Sequence, residues 1–120
     1  MNVNDKLNAL KQETGLNVYP DVAPVSEKDY FVYTYEDERP AAYGDDCVTA
    51  DIAYIQLSLY TQLKTEYMDL KHKARDYLES SGFCVTSIQS WVDDTMIGTD
   101  KTRHTVFEIN YTEARKEREE

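Results

Sequence analysis

Cysteine, proline and glycine are all scarce in this chain of 120 residues, at two, three and four copies. Two cysteines cannot build a disulfide scaffold, so Cys47 and Cys84, both in strand-like stretches, are expected to be buried free thiols. Four scattered glycines exclude a Gly-rich phosphate loop. No run reaches the ~18 apolar residues of a membrane-spanning helix. The opening Met1-Asn2-Val3-Asn4-Asp5-Lys6 lacks the basic-then-apolar pattern of a secretion signal, which leaves Asn110-Tyr111-Thr112 without meaning as a glycosylation sequon. Also missing are His-Glu-x-x-His, Cys-x-x-Cys and a basic patch interleaved with aromatics.

Acidic residues are plentiful. The formal net charge is −10, and a fold this acidic repels nucleic acid and anionic lipid at long range. That argues against DNA binding or a membrane-surface role, although an acidic surface could face DNA and keep it from sticking. Hydrophobic residues make up 41% of the chain and ten residues are tyrosine, enough apolar surface for one core and one domain. Tyrosine suits strands and interfaces that end up partly dry.

The order of elements follows from periodicity. Asn4 is placed to cap a short helix carrying Val3, Leu7 and Leu10, and Gly15 to stop it. Leu16 to Pro20 reads as a brief extended exit, and 21–29 as a loop. Tyr30 to Tyr35 alternates as a strand, with Phe31, Tyr33 and Tyr35 on one face. Glu36 to Asp46, with Pro40 and Gly44, reads as a polar connector. From Cys47 to Tyr60 the chain is strand-like again, but its apolar residues change parity. Val48, Ala50, Ile52 and Tyr54 share one face, and Ile55, Leu57 and Leu59 the other. Either both faces are covered or a bulge lies near Ala53 to Ile55. At ~3.3 Å per residue that run would span roughly 45 Å, so it should bend or project beyond the core.

Thr61 or Thr65 is expected to open the main helix, with its stripe of Leu63, Tyr67, Leu70, Ala74, Tyr77 and Leu78 and a stop at Gly82. Phe83 to Val92 and Arg103 to Thr112 read as a hairpin. The expected fold is α+β, a mostly antiparallel sheet of about four strands with two helices packed on one face. Residues 1–112 form the single domain, and 113–120 a charged tail that is frayed or ordered by a partner.

Candidate chemistry is thin. Cys84 and His104 could pair as thiolate and imidazole only if the last two strands bring them together, and His72 belongs to a wet helix face. Asp45-Asp46 and Asp93-Asp94 lack the alternating ligands of a calcium loop and read as acidic turns. No catalytic residue, metal or cofactor is expected. Trp91 reads as core. Candidate interface residues are Glu36, Asp37, Glu38, Arg39, Asp45 and Asp46, as an arm that orders against a neighbouring subunit, and Met96 and Ile97 at a hairpin tip.

The layout resembles one family, the tail terminator (tail completion) proteins of long-tailed bacteriophages and prophages. The resemblance covers roughly residues 3 to 113. It lies in the helix ending at Gly15, then Val18-Tyr19-Pro20, then the strand Asp29 to Tyr35 and a variable polar loop. A long strand ending in Ile55-Gln56-Leu57-Ser58-Leu59-Tyr60-Thr61 then leads directly into a helix ending in Ser80-Ser81-Gly82-Phe83. It implies a virion structural protein, assembled in the host cytoplasm, that forms a hexameric ring at the head–tail junction. Its partners would be further copies of itself, the tail tube protein and the head completion or connector protein, with DNA sliding through unbound and no membrane. Another head–tail joining or minor capsid protein, and an acidic inhibitor of a host factor, remain alternatives.

Overall fold

The computed structural model describes residues 2–24, 28–44, 47–93 and 102–114. The chain runs α1 (Val3–Asn8), α2 (Leu10–Thr14), β1 (Asn17–Pro20), β2 (Tyr30–Gly44), β3 (Cys47–Gln62), α3 (Tyr67–Ser80), β4 (Cys84–Asp93) and β5 (Thr102–Ala114). The fold is α+β. The sheet has five strands, in the order β1-β2-β3-β5-β4. The fifth strand is Asn17–Pro20, which pairs parallel with β2 and makes the sheet mixed, whereas the sequence pointed to about four strands, mostly antiparallel. Four residues ending in proline are too short to show alternation, and only pairing with β2 makes them a strand.

The first helix is capped by Asn2 and not by Asn4. The Asn2 side chain accepts from the Asp5 N–H at 2.8 Å, and the Asp5 carboxylate reaches back to the Asn2 N–H at 3.4 Å, a reciprocal capping box. Asn4 instead uses its side-chain oxygen to accept from the Tyr35 hydroxyl at 2.7 Å. Gly15 ends α2 at φ 78°, and its N–H closes on the Lys11 carbonyl at 2.7 Å. That left-handed backbone favours glycine.

Both helical layers lie on one face of the sheet. Val3, Leu7 and Leu10 from α1 and α2, with Ala74 and Leu78 from α3, bury against Phe31, Tyr33, Ile55, Leu57, Leu59, Phe107 and Ile109. These strand residues alternate along β2, β3 and β5, so one sheet face supplies nearly the whole core. Neither Thr61 nor Thr65 opens α3. Thr61 is buried inside β3. Thr65 lies in the turn that follows, where its hydroxyl donates to Asp29 at 2.9 Å. Asp29 also accepts from the Gln62 N–H at 2.9 Å, so one carboxylate fixes the junction between β3 and α3.

The stretch from Glu36 to Gly44 is strand, not a loop connector. It extends β2 antiparallel to β3 all the way to the pair Gly44↔Cys47. Polar and charged residues hide a strand from a reading based on hydrophobicity, because from Glu36 to Pro40 both faces meet solvent. The register of β2 shifts at Glu36 and again around Ala41. The expected bulge is therefore not in β3, which stays in unbroken register with β5 from Ala50 to Gln62. It lies in the partner strand, opposite the step from Ile55 to Tyr54.

Candidate assembly surface

Beyond Tyr35, β2 and β3 continue as a ribbon that β5 supports as far as the pair Ala50↔Ala114. Nine further residues of β2 carry it roughly 30 Å. The molecule is correspondingly long, 58 × 26 × 23 Å. β5 itself continues through Glu113 and Ala114, into the stretch expected to be tail.

Where the ribbon leaves the body, an open cleft of about 450 Å³ lies on the sheet face away from the helices. Its lining includes Glu36, Asp37, Arg39, Tyr54, Glu108 and Asn110. Two register shifts meet here. Glu36 is the extra residue of β2, and Thr86 that of β4. The Thr86 hydroxyl donates to the Glu108 carbonyl at 3.0 Å. A bulge re-aims side chains, and the Glu36 carboxyl reaches that of Glu108 on β5 and hydrogen-bonds to it. A carboxyl pair shares a hydrogen bond only when it holds a proton. Burial, then the Glu36 charge and this hydrogen bond, push the Glu108 carboxyl above its ordinary value.

Asp37 is ion-paired with Arg39 at 2.7 Å. Hydrogen bonds from the Arg39 side chain and then from the Glu38 N–H hold the Asp37 carboxyl below the usual range. The Arg39 guanidinium also lies 5.5 Å from the centre of the Tyr54 ring. On the opposite face, burial and then the neighbouring Tyr33, Glu113 and Glu38 push the Tyr35 hydroxyl up to about 12.

The sheet face away from the described helices carries an aromatic row that crosses all five described strands. Tyr19 meets Tyr30 edge-on at 6.4 Å. Tyr30 stacks on Tyr60 at 5.1 Å, and Tyr60 on His104 at 4.2 Å. Trp91 meets His104 edge-on at 4.7 Å. Trp91 is 45% exposed and is not core as expected. It packs on the sheet face away from the described helices, against the His104 ring.

Of the residues singled out in the sequence, Glu36, Asp37, Glu38 and Arg39 fall together at the root of the ribbon, with Glu38 on the helix side opposite Ala53. Asp45, Asp46, Met96 and Ile97 lie outside the described residues. Cys84 and His104 are not brought together. Cys84 pairs with Asn110 and His104 with Trp91, roughly 20 Å apart along β5. Cys84 is exposed, not buried, because β4 is an edge strand. Among the described residues, no three His, Cys, Asp or Glu side chains cluster as metal ligands. Sequence reasoning missed Glu108, Tyr54 and the aromatic row. Parity set Tyr30 apart from Phe31, but only strand order puts Tyr30 beside Tyr60 and His104.

The chain matches no model of a known protein family and no curated protein sequence.

Proposed function

We propose that this protein is a structural subunit of a long-tailed phage particle, a tail terminator that assembles with further copies into a ring, hexameric in the family it resembles. The ring would cap the tail tube and dock the head connector, within the virion and without catalysis. The observation that best supports this reading is the β2–β3 ribbon. It extends past the core as far as Gly44, and Glu36, Asp37, Glu38 and Arg39 at its root are all exposed. An extension whose β2 strand stays exposed from Glu36 to Pro40 in the single chain gains stabilisation from a neighbour. The net charge of −10 suits a ring whose channel passes DNA without holding it. The layout resemblance supplies the identity of the partners.

The experiment is assembly on tails. Purified protein is added to tail tubes polymerised without it, and the tube ends are imaged by electron microscopy. Capped ends and arrested growth support the terminator role. Tubes that keep growing uncapped, with binding to head connectors instead, would point to another head–tail joining protein. Binding to neither, with capture of a host protein, would favour the inhibitor alternative.

A further inference from the structure

The two edges of the sheet are treated differently. On one side β1 covers only Tyr30 to Tyr33 of β2 and ends at Pro20. Past it, the outer edge of β2 is broken by the extra residue Glu36, by Pro40 and by the shift at Ala41. It also carries Glu36, Asp37, Glu38 and Arg39. Short strands, proline, bulges and charge are the devices that stop an edge from accepting another strand.

The opposite edge, β4, has almost none of them. From Cys84 to Val92 it contains no charged residue and no proline. Its one irregularity, at Thr86, lies near the start, and Ser87 to Asp93 runs in unbroken register with β5. Every second residue of an edge strand directs its N–H and C=O outward, so what fits here is another extended backbone. Two exposed apolar residues lie on this strand, Trp91 at 45% and Val92 at 38%.

Charge selects the occupant. With 23 acidic and 13 basic residues, two copies of this chain repel each other over most approaches. An uncharged strand edge is where they can meet without like charges opposite one another. An antiparallel edge is also self-complementary about a two-fold axis. Faces match across such a pair only when opposed residues have the same parity, which sets the axis on a residue. Gln89 and Ser90 are the exposed polar residues around the middle of the regular segment. The Ser90 hydroxyl is engaged with that of Thr105 at 2.9 Å, which leaves Gln89 as the residue to place on the axis. With the axis there, each Gln89 faces its own copy and each Trp91 lies across from Ser87 of the other chain.

We infer that two copies of this protein pair antiparallel through β4, with Gln89 on the two-fold axis, to form one continuous ten-stranded sheet. This goes beyond the ring reading. A ring of identical copies closes through two different patches, whereas this contact is the same patch twice.

The test is sedimentation analysis of wild type, Gln89→Lys and Gln89→Glu, from about 1 µM to about 500 µM, a range that covers weak strand-mediated dimers. Thermal melts of each protein check that the fold is kept, as expected for an exposed side chain. Wild type should form dimers. Each variant alone should be monomeric, because it sets like charges directly opposite. An equimolar mixture of the two should recover the dimer. A wild type that stays monomeric throughout overturns the proposal, as do variants that associate as well as wild type. Variants that dissociate but do not recombine overturn the pairing at Gln89. Six-fold species that persist in both variants, without dimers, would leave the ring reading standing and remove this one.

Discussion

The rings of Tyr60 and His104 stack at 4.2 Å and 16° from parallel, and the two residues are direct partners in the β3–β5 register. They sit at the centre of the aromatic row, on the sheet face away from the described helices, where the rings themselves shield the sheet. Aromatic pairs of this geometry contribute about 0.5–1.5 kcal/mol beyond the area they bury. Urea unfolding of Tyr60→Leu, His104→Leu and the double variant should give a coupling energy of that size. Strictly additive single effects would mean that the rings are adjacent without supporting each other.

The core of this fold was legible because it is periodic. Phe31 and Tyr33, then Ile55, Leu57 and Leu59, then Phe107 and Ile109, alternate along three strands, and all are buried on one face. The ribbon was not legible, because Glu36 to Arg39 look like loop in any reading that equates strands with apolar alternation. The change of parity in β3 was a true signal given the wrong location. Ile52 and Tyr54 do lie on the other face, half-covered, but the extra residue sits in β2 at Glu36. The cleft between Glu36 and Glu108 joins residues far apart in sequence across an intervening strand, and no local pattern encodes that.

Asp29 holds the end of β3 to the turn before α3 through Gln62 and Thr65, both at 2.9 Å. No side chain caps α3 itself, so this carboxylate orders the approach to the helix in its place. Asp29→Ala leaves the Gln62 N–H and the Thr65 hydroxyl without their acceptor. A loss of about 1–3 kcal/mol in chemical denaturation is expected. Thr65→Ala removes only one of the two bonds and should cost less. Equal losses would show that the Gln62 bond contributes nothing.

The Thr61 hydroxyl is buried and has no hydrogen-bond partner among the described residues. Desolvating a hydroxyl without a partner costs on the order of 1–3 kcal/mol. Thr61→Val keeps the branched shape that a strand favours and removes that cost. The variant should be as stable as wild type or more so, with the melting temperature raised by a few degrees. A marked drop in melting temperature would show that the hydroxyl is satisfied after all.

Lys6 ties three elements together. Its ammonium donates to the Ser81 carbonyl at 3.1 Å and to the Tyr111 hydroxyl, and it lies 4.3 Å from the centre of the Tyr111 ring. The backbone carbonyl of the same residue accepts from the Tyr77 hydroxyl at 2.6 Å. Lys6→Met keeps the aliphatic stem but loses the charge. It should lower stability by about 1–2 kcal/mol, the usual size of a charge-assisted bond plus a partly desolvated cation over a ring. Tyr77→Phe removes only the hydroxyl and should cost less. Hydrogen exchange should show the loss first at α1, the helix that carries Lys6.

Glu108 gives the fold a pH dependence of unusual sign for a carboxylate. Burial and the Glu36 charge raise its folded value above the ordinary 4.5. The protonated form is thus the one the fold prefers. Its contribution is complete below the unfolded value and is lost as pH rises through the folded one. At neutral pH an ionised Glu108 next to Glu36 is a liability, held below about 1 kcal/mol because the cleft is open to solvent. Glu108→Gln replaces it with a neutral group of the same shape that can still donate to Glu36. The variant should melt higher than wild type at pH 7, and the gap should close by pH 3. A gap that is the same at both values would separate the effect from ionisation. A variant less stable at pH 7 would mean that the charged pair is relieved by another group at the root of the ribbon, with Arg39, which lines the same cleft, the candidate.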